Sequence, residues 1–241
     1  MVRVTGQVGL LVCYRYIGSM VGRLLVRLGR MALAQWYGKR PSLPMSIRFG
    51  LRQSSDDFSS RYFLLNGNGT YQPRDEMWSL TERPGNLRLK AFRPLVTDNL
   101  LKAGNTLTQR CFCTNKNEVI VKMNIEGMVD GQKAGLCHYS KSYAMVGVRQ
   151  SGKDRNLEFQ TNKEKITGPA IKGNKVWIKS VWGLDGKSQF SYSTDGRKFT
   201  PFGEVYQLEW GYYRGSRIGI YCFNNIADAG YIDVDEFIYL Y

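Results

Sequence analysis

The side chains that most often carry acid–base or metal chemistry are scarce in this sequence of 241 residues. His138 is the single histidine, and it follows Cys137 in a stretch that is typical of a strand. One histidine leaves little room for a Ser-His-Asp or Cys-His catalytic site. We therefore expect His138 to be a hydrogen-bonded strand residue rather than a catalytic base or a metal ligand.

The five cysteines form no recognisable framework. An odd number without regular spacing argues against a set of disulfides and is typical of a reducing compartment. Cys111 and Cys113 are two residues apart, which on a strand would place both thiols on one face. A zinc site would need a Cys-x-x-Cys pair or several histidines. These thiols are therefore predicted to be ordinary buried cysteines.

Paired carboxylates offer a second kind of chemistry, because glycoside hydrolysis uses two of them across the scissile bond. The local candidates are Glu126 with Asp130 and Asp233 with Asp235. Carboxylates at strand ends and turns are common, and nothing local identifies either pair as catalytic. The sequence also lacks a phosphate-binding glycine loop and a nucleotide fingerprint. No residue is therefore assigned a catalytic role.

Aromatic side chains are the remaining candidates for a binding surface. Trp210, Tyr212 and Tyr213 lie together in a glycine-containing stretch that is typical of a loop. Flat rings can stack on the apolar faces of sugars while a polar edge stays in water, so these three residues are the predicted carbohydrate contacts. Trp177 and Trp182 are five residues apart, which places them on opposite faces of one strand and predicts that at least one is buried.

The elements that must position these side chains are short alternating runs separated by turns. Ten runs follow residue 75: Leu87–Ala91, Leu107–Cys113, Val119–Ile125, Ala134–Tyr139, Tyr143–Arg149, Leu157–Gln160, Val176–Trp182, Gln189–Ser193, Arg217–Phe223 and Tyr231–Tyr239. Asp130-Gly131, Asp185-Gly186 and Asp195-Gly196 lie between runs, and Asp-Gly is a strong hairpin signal. The pattern predicts an all-β fold of two antiparallel sheets over one core.

The net charge of +14 is concentrated at one end of the chain. Residues 1–55 carry nine basic and no acidic side chains, whereas the rest carries 25 basic and 20 acidic ones. The overall charge therefore does not argue for a nucleic-acid partner. Residues 1–50 form a separate basic segment, which we expect to contain no stable helix or strand of its own. The alternatives are an export signal, a membrane anchor and an amphipathic helix that lies on a membrane surface. Without a convincing signal peptide, the free cysteines slightly favour a cytoplasmic location.

Several stretches of the alternating region resemble one family. Trp78–Leu89, with the sequence WSLTERPGNLRL, resembles the motif that opens the C-terminal β-sandwich of family 43 glycoside hydrolases, the β-xylosidases and α-L-arabinofuranosidases that trim hemicellulose. The resemblance continues, in order, through Asn105–Arg110, Lys133–Leu136, Tyr192–Gly196, Arg217–Tyr221 and Tyr231–Phe237. It covers residues 75–241 and implies a concanavalin A-like jelly-roll sandwich over residues 51–241, preceded by the irregular basic segment.

The same resemblance implies that catalysis belongs to a different domain of the full-length enzyme. In the family, a five-bladed propeller supplies the catalytic carboxylates, and the 74 residues before the resemblance are too few for a propeller. We therefore expect an accessory sandwich that is inactive alone and whose partners are the catalytic propeller and xylan or arabinoxylan oligosaccharides, with no nucleic acid and no membrane. The alternative is an independent xylan-binding module.

One stretch departs from the family pattern. Where a Trp-x-Trp strand is expected, the chain has Leu64–Thr70, with the sequence LLNGNGT. The string CTCCTCAATGGCAATGGAACT encodes these seven residues, and two bases later it encodes Pro-Gln-Trp-Gln-Trp-Asn. We hypothesise a local frameshift near residues 61–70, with an upstream segment that is out of frame or truncated.

The resemblance also suggests a metal position. Lectin-like sandwiches often hold calcium between the first and last strands, and carboxylate oxygens suit that ion. Asp57 and Asp235 occupy comparable places here. No cofactor is expected to be required, and a structural calcium at this pair is the one metal site that the sequence suggests.

Overall fold

The computed structural model describes residues 55–60, 68–69, 74–209 and 215–241. The basic segment 1–50 and, in the departing stretch, residues 64–67 and Thr70 lie outside these ranges, so the expectations about them stay predictions. The strands are β1 (Asn68–Gly69), β2 (Trp78–Ser79), β3 (Leu87–Lys90), β4 (Thr106–Arg110), β5 (Asn117–Asn124), β6 (Gln132–Tyr139), β7 (Tyr143–Ser151), β8 (Asp154–Thr161), β9 (Lys165–Ala170), β10 (Lys175–Trp182), β11 (Lys187–Ser193), β12 (Thr200–Pro201), β13 (Tyr206–Gln207), β14 (Arg217–Asn224) and β15 (Tyr231–Leu240).

The strands form two antiparallel sheets, as the alternating pattern predicts. The seven-stranded sheet has the order β1-β4-β14-β6-β7-β8-β9. The eight-stranded sheet has the order β12-β11-β10-β5-β15-β3-β2, with β13 paired to β11. Short 3₁₀ turns at Asp75–Met77 and Leu100–Lys102 are the helical elements of the described ranges, and neither is long enough to cross a membrane.

The main core lies between the two sheets and follows the period of two that strands impose. On β10, Val176, Ile178 and Trp182 are buried, whereas Trp177 is only partly buried and lies on the outer face. The prediction that at least one of the two tryptophans is buried is therefore confirmed. Each of the ten predicted runs overlaps a strand. Five strands were not predicted: the two-residue strands β1, β2, β12 and β13, and β9, in which a Gly-Pro pair and mostly exposed side chains leave no clear alternation of apolar and polar residues.

The end of β4 differs from the prediction. The run was expected to continue to Cys113, but the strand ends at Arg110 and the backbone then turns. Cys111 is buried and Cys113 is exposed, so the two thiols do not share a face and the cysteines are not all buried. Burial raises the pKa of the Cys111 thiol to about 12, with a smaller lowering effect from Ser216.

The seven-stranded sheet also carries a small apolar cluster on its outer face. Leu100 and Ala103, from the segment between β3 and β4, pack there against Tyr143, Met145 and Phe223. These side chains point away from the main core because they alternate with the residues that face it. The cluster fixes one end of the segment 92–104 against the sheet.

Candidate functional site

His138 lies in the main core, where the sequence placed a hydrogen-bonded strand histidine. Its Nε2 is 2.8 Å from the hydroxyl of Ser180 on β10 and 2.8 Å from that of Ser188 on β11. Burial lowers the pKa of this imidazole to about 3. The ring is therefore neutral at neutral pH and has no access to a substrate, which confirms the structural interpretation.

Three of the four carboxylates considered for catalysis, those of Asp130, Asp233 and Asp235, make structural contacts. Asp233 is buried, and it accepts hydrogen bonds from Arg83 Nη1 at 2.8 Å and Arg88 Nε at 2.7 Å. Burial alone would raise the pKa of this carboxyl, but the bonds from Arg88 and Arg83 outweigh it and lower the pKa. Asp130 accepts a 2.6 Å bond from the backbone of Gly152. Asp233 is thus held ionised by two guanidinium groups, which is unsuitable for a general acid.

The two predicted calcium ligands lie near the pairing of residue 56 with β15. Asp57 is exposed and accepts bonds from the Ser59 hydroxyl at 2.7 Å and the Ser59 amide at 3.1 Å. Asp235 is engaged by Lys122, whose Nζ is 2.8 Å from Oδ2. Within the described ranges, no group of three His, Cys, Asp or Glu side chains could hold a metal. A calcium ion at Asp235 would have to displace Lys122, and the site stays a prediction.

The predicted carbohydrate contacts Trp210, Tyr212 and Tyr213 fall in residues 210–214, outside the described ranges. Their role therefore also stays a prediction.

The best-formed polar arrangement was not predicted from the sequence. We call it the Asp98 cluster: Asp98 from the segment between β3 and β4, Lys133 on β6, Glu158 and Gln160 on β8, and Lys165 on β9. Lys133 Nζ contacts both Asp98 and Glu158 and donates to Gln160 Oε1 at 2.9 Å. Lys165 Nζ is 2.7 Å from the other Asp98 oxygen. The cluster ties the segment 92–104 to the outer face of the seven-stranded sheet.

The backbone at Asp98 has an unfavourable conformation that the surrounding hydrogen bonds hold in place. Its φ is +63°, a left-handed value that few residues other than glycine adopt. The Asp98 amide donates to Asn225 Oδ1 at 2.9 Å, and Gln160 Nε2 donates to the Asp98 carbonyl at 3.0 Å. The first bond joins the segment to the loop after β14, and the second joins it to β8. The two loops therefore form one connected surface.

Charge is balanced within the cluster. Burial would raise the pKa of Asp98, but hydrogen bonds from Lys133 and Lys165 outweigh it and lower the pKa to about 2. Burial lowers the pKa of Lys133, against the opposite effects of Asp98 and Glu158. The side chain of Lys133 is only 3% exposed, so its charge depends on these two carboxylates.

The two connected loops present aliphatic side chains to solvent. Leu95 is 62% exposed, Val96 49% and Ile226 61%. Beside them is a cleft of about 460 Å³, lined by Leu95, Ile226 and polar residues that include Arg74, Arg93 and Asp228. We call Leu95, Val96 and Ile226 the apolar tip. Because large exposed apolar side chains on ordered loops are typical of interaction surfaces, this tip and the Asp98 cluster form the candidate functional site.

The sequence held only a weak signal for this site. Arg93-Pro94 and Thr97-Asp98-Asn99 indicate turns, but the partners of Asp98 are 35 to 127 residues away in the chain. Long-range pairs of this kind have no local pattern.

Comparison with known proteins identifies the sandwich. Residues 55–240 match the family model of the β-xylosidase C-terminal concanavalin A-like domain. A β-xylosidase of Formosa agariphila is 32% identical over a match that covers 78% of this chain and 35% of that protein. The chain thus spans about a third of the length of this relative.

Solved structures agree with the sequence relatives. A bifunctional GH43-CE protein of Bacteroides eggerthii has a TM-score of 0.70 and 26% identity, covering 77% of this chain and 25% of that one. The GH43 protein BlXynB of Bacillus licheniformis has a TM-score of 0.68 and 22% identity, covering 84% and 41%, and shows the likeness of fold. With the two-sheet architecture described above, these matches show that the chain belongs to the family of C-terminal concanavalin A-like domains of GH43 β-xylosidases.

Proposed function

We propose that this chain is an accessory sandwich that docks on the catalytic propeller of a hemicellulose-degrading glycoside hydrolase of the β-xylosidase or α-L-arabinofuranosidase type, and that it has no activity alone. The observation that carries the proposal is the apolar tip. Three aliphatic side chains are exposed on two loops, which are joined by the bond from the Asp98 amide to the Asn225 side chain and fixed to the sheet by the bond from Gln160 to the Asp98 carbonyl. A surface of this kind gains free energy when a partner covers it.

The length of the relatives supports the choice of partner. The matched part is 35% of the Formosa agariphila protein and 25% of the Bacteroides eggerthii one, so most of each relative lies outside the sandwich. The polar groups beside the tip, Arg74, Arg93 and Asp228, would form the rim of such an interface.

The proposed absence of activity is supported by the contacts of the candidate acidic residues and by the lowered pKa of Asp233. Catalytic carboxylates need a substrate between them and, for the general acid, a raised pKa. Asp233 is buried between two arginines with a lowered pKa, and Asp235 pairs with Lys122. These contacts stabilise the fold and leave neither group free for glycoside cleavage.

Two measurements test the proposal. The full chain should not hydrolyse nitrophenyl xyloside or nitrophenyl arabinofuranoside, and measurable turnover would overturn the non-catalytic part. Co-expression with the part of the Formosa agariphila β-xylosidase outside the match should yield a co-purifying complex with xylosidase activity.

The matched variants for docking are Leu95→Asp and Leu184→Asp. Both side chains are more than 60% exposed, so neither change should alter folding stability by more than about 0.5 kcal/mol. Only Leu95→Asp should abolish co-purification, because Leu184 lies in the turn between β10 and β11, outside the apolar tip. Equal co-purification of both variants would remove the tip as the docking surface.

A further inference from the structure

The cleft beside the apolar tip is lined by groups of two kinds. Its charged residues are Arg74, Arg93 and Asp228, so two guanidinium groups accompany one carboxylate and the lining carries a net charge of +1. Leu95 and Ile226 of the apolar tip line the same cleft. A ligand that matches this lining would combine a negative charge with an apolar neighbour.

Arg93 is only partly engaged by Asp228. Oδ1 of Asp228 accepts a bond from the Arg93 backbone amide at 3.0 Å and another from Arg93 Nε at 3.2 Å. In the part of the chain that the structure describes, neither Nη atom of Arg93 makes a hydrogen bond, and the side chain is 63% exposed. Most of the hydrogen-bonding capacity of this guanidinium therefore remains available to a partner.

Arg74 is held beside the same carboxylate by an aromatic ring. Its Cζ atom is 4.6 Å from the centroid of the Phe92 ring, and Phe92 is buried. Arg74 Nη1 is 3.8 Å from Asp228 Oδ2, which is within ion-pair range but too long for a hydrogen bond. Stacking on a buried ring orders the guanidinium without using its donors. Both arginines thus lie near one carboxylate and keep donors for a second one.

The Asp228 carboxylate leaves one of the two positive charges unbalanced. Hydrogen bonds from Arg93, chiefly the one from its backbone amide, lower the pKa of Asp228, so this group is ionised at neutral pH. The acidic residues that follow Arg74 in the sequence, Asp75 and Glu76, do not line the cleft. Two like charges that share one counter-ion repel each other, and a second carboxylate would relieve this repulsion.

We propose that this cleft binds the carboxylate of one Asp or Glu side chain of the docked catalytic propeller. The inference rests on the proposed function and adds to it the chemistry by which the partner is recognised. A guanidinium binds a carboxylate through two parallel N–H···O bonds, and Arg93 has exposed Nη donors for this geometry. With Arg74 alongside, the new carboxylate completes an arrangement of two cations and two anions.

The apolar tip strengthens this ion pair in the complex. When a partner covers Leu95 and Ile226, water is displaced from the cleft, and opposite charges attract more strongly in the lower dielectric constant that results. Exposed ion pairs contribute little on their own, so the effect belongs to the complex and not to the free chain. The tip thus supplies docking free energy, and the arginines select a partner segment that carries an acidic residue.

The test uses the full chain co-expressed with the part of the Formosa agariphila β-xylosidase outside the match. Analytical ultracentrifugation of a dilution series of the purified complex gives its dissociation constant. Arg93→Gln should raise this constant about tenfold or more, because it removes the positive charge and the forked donors. The matched control Arg197→Gln removes an exposed arginine from the turn between β11 and β12 and should leave the constant unchanged.

Asp228→Asn should have the opposite effect. The amide oxygen of asparagine can still accept both bonds that Oδ1 accepts from Arg93, so the contact within the loop is retained. The change removes the negative charge that competes with the carboxylate of the partner. The dissociation constant should therefore fall about threefold.

Three outcomes would overturn the inference. Equal dissociation constants for the unchanged chain and Arg93→Gln would do so while leaving docking by the apolar tip intact. A constant that does not fall with Asp228→Asn would assign the Arg93–Asp228 contact to loop structure alone. Failure of the unchanged chain to form a complex would overturn the docking proposal and this inference together. Thermal melts of each variant check that the sandwich is folded.

Discussion

Replacement of Asp98 by asparagine gives the sharpest test of the Asp98 cluster. Asparagine has the same shape and tolerates the left-handed backbone at φ +63° better than most residues, so the change removes charge with little added strain. It leaves Lys133, which is 3% exposed, with Glu158 as its remaining carboxylate in the cluster. The variant should therefore be less stable at neutral pH.

The magnitude follows from the pKa of Asp98. A fall from 3.8 to about 2 corresponds to roughly 2.4 kcal/mol at 1.36 kcal/mol per pH unit. Because the side chain is 30% exposed, solvent screening reduces this figure, and we expect a loss of about 1–2 kcal/mol. For a domain of this size, each kcal/mol lowers the melting temperature by about 2–4 °C.

The contribution of Asp98 to folding stability should decrease as the pH falls. The pKa of Asp98 is lower in the folded state, so its contribution is complete above the unfolded value of 3.8 and is lost as the pH falls towards 2. Urea unfolding at pH 7, 5 and 3 should show a gap between the unchanged chain and Asp98→Asn that narrows at pH 3. Asp154→Asn, at the exposed start of β8, is the control and should show no gap. Equal stability of Asp98→Asn and the unchanged chain at pH 7, or a gap that does not narrow, would refute the reasoning.

Three further predictions concern the core, the metal and the departing strand. His138→Gln should flatten the loss of stability between pH 6.5 and about 3 in urea titrations, because the buried imidazole resists protonation that the unfolded chain accepts; an unchanged slope would contradict this. EDTA should lower the melting temperature if calcium is bound at Asp57 and Asp235; an unchanged melting temperature would remove the site, because Lys122 already neutralises Asp235 without an ion. Replacing residues 64–69 by Pro-Gln-Trp-Gln-Trp-Asn should raise the melting temperature if the frameshift hypothesis is right, because each buried aromatic side chain contributes about 3–5 kcal/mol; a lower melting temperature would argue against it.

Most of the fold could be predicted from local sequence patterns. The alternation on β5 and β10 and the Asp-Gly turns were sufficient to predict ten of the strands and the two-sheet architecture. The prediction failed where alternation is absent, as in β9, and where a strand ends without a turn signal, as at Arg110.

The candidate sites depended on contacts that a linear pattern does not contain. Asp98 meets Lys133, Lys165 and Asn225 only because strand order brings three distant segments to one face. The sequence did show that Trp177 and Trp182 face opposite ways, but not which of them faces the solvent.

The two serine hydroxyls bonded to His138 tie the seven-stranded sheet to the eight-stranded one across the core. Apolar contacts allow neighbouring layers to slide, because they depend on area and not on direction. Hydrogen bonds are directional and weaken steeply when they are misaligned, so a histidine on one sheet that meets two serines on the other fixes the offset between the layers. A partner docked on the outer face of the seven-stranded sheet would therefore keep a constant position relative to the eight-stranded sheet.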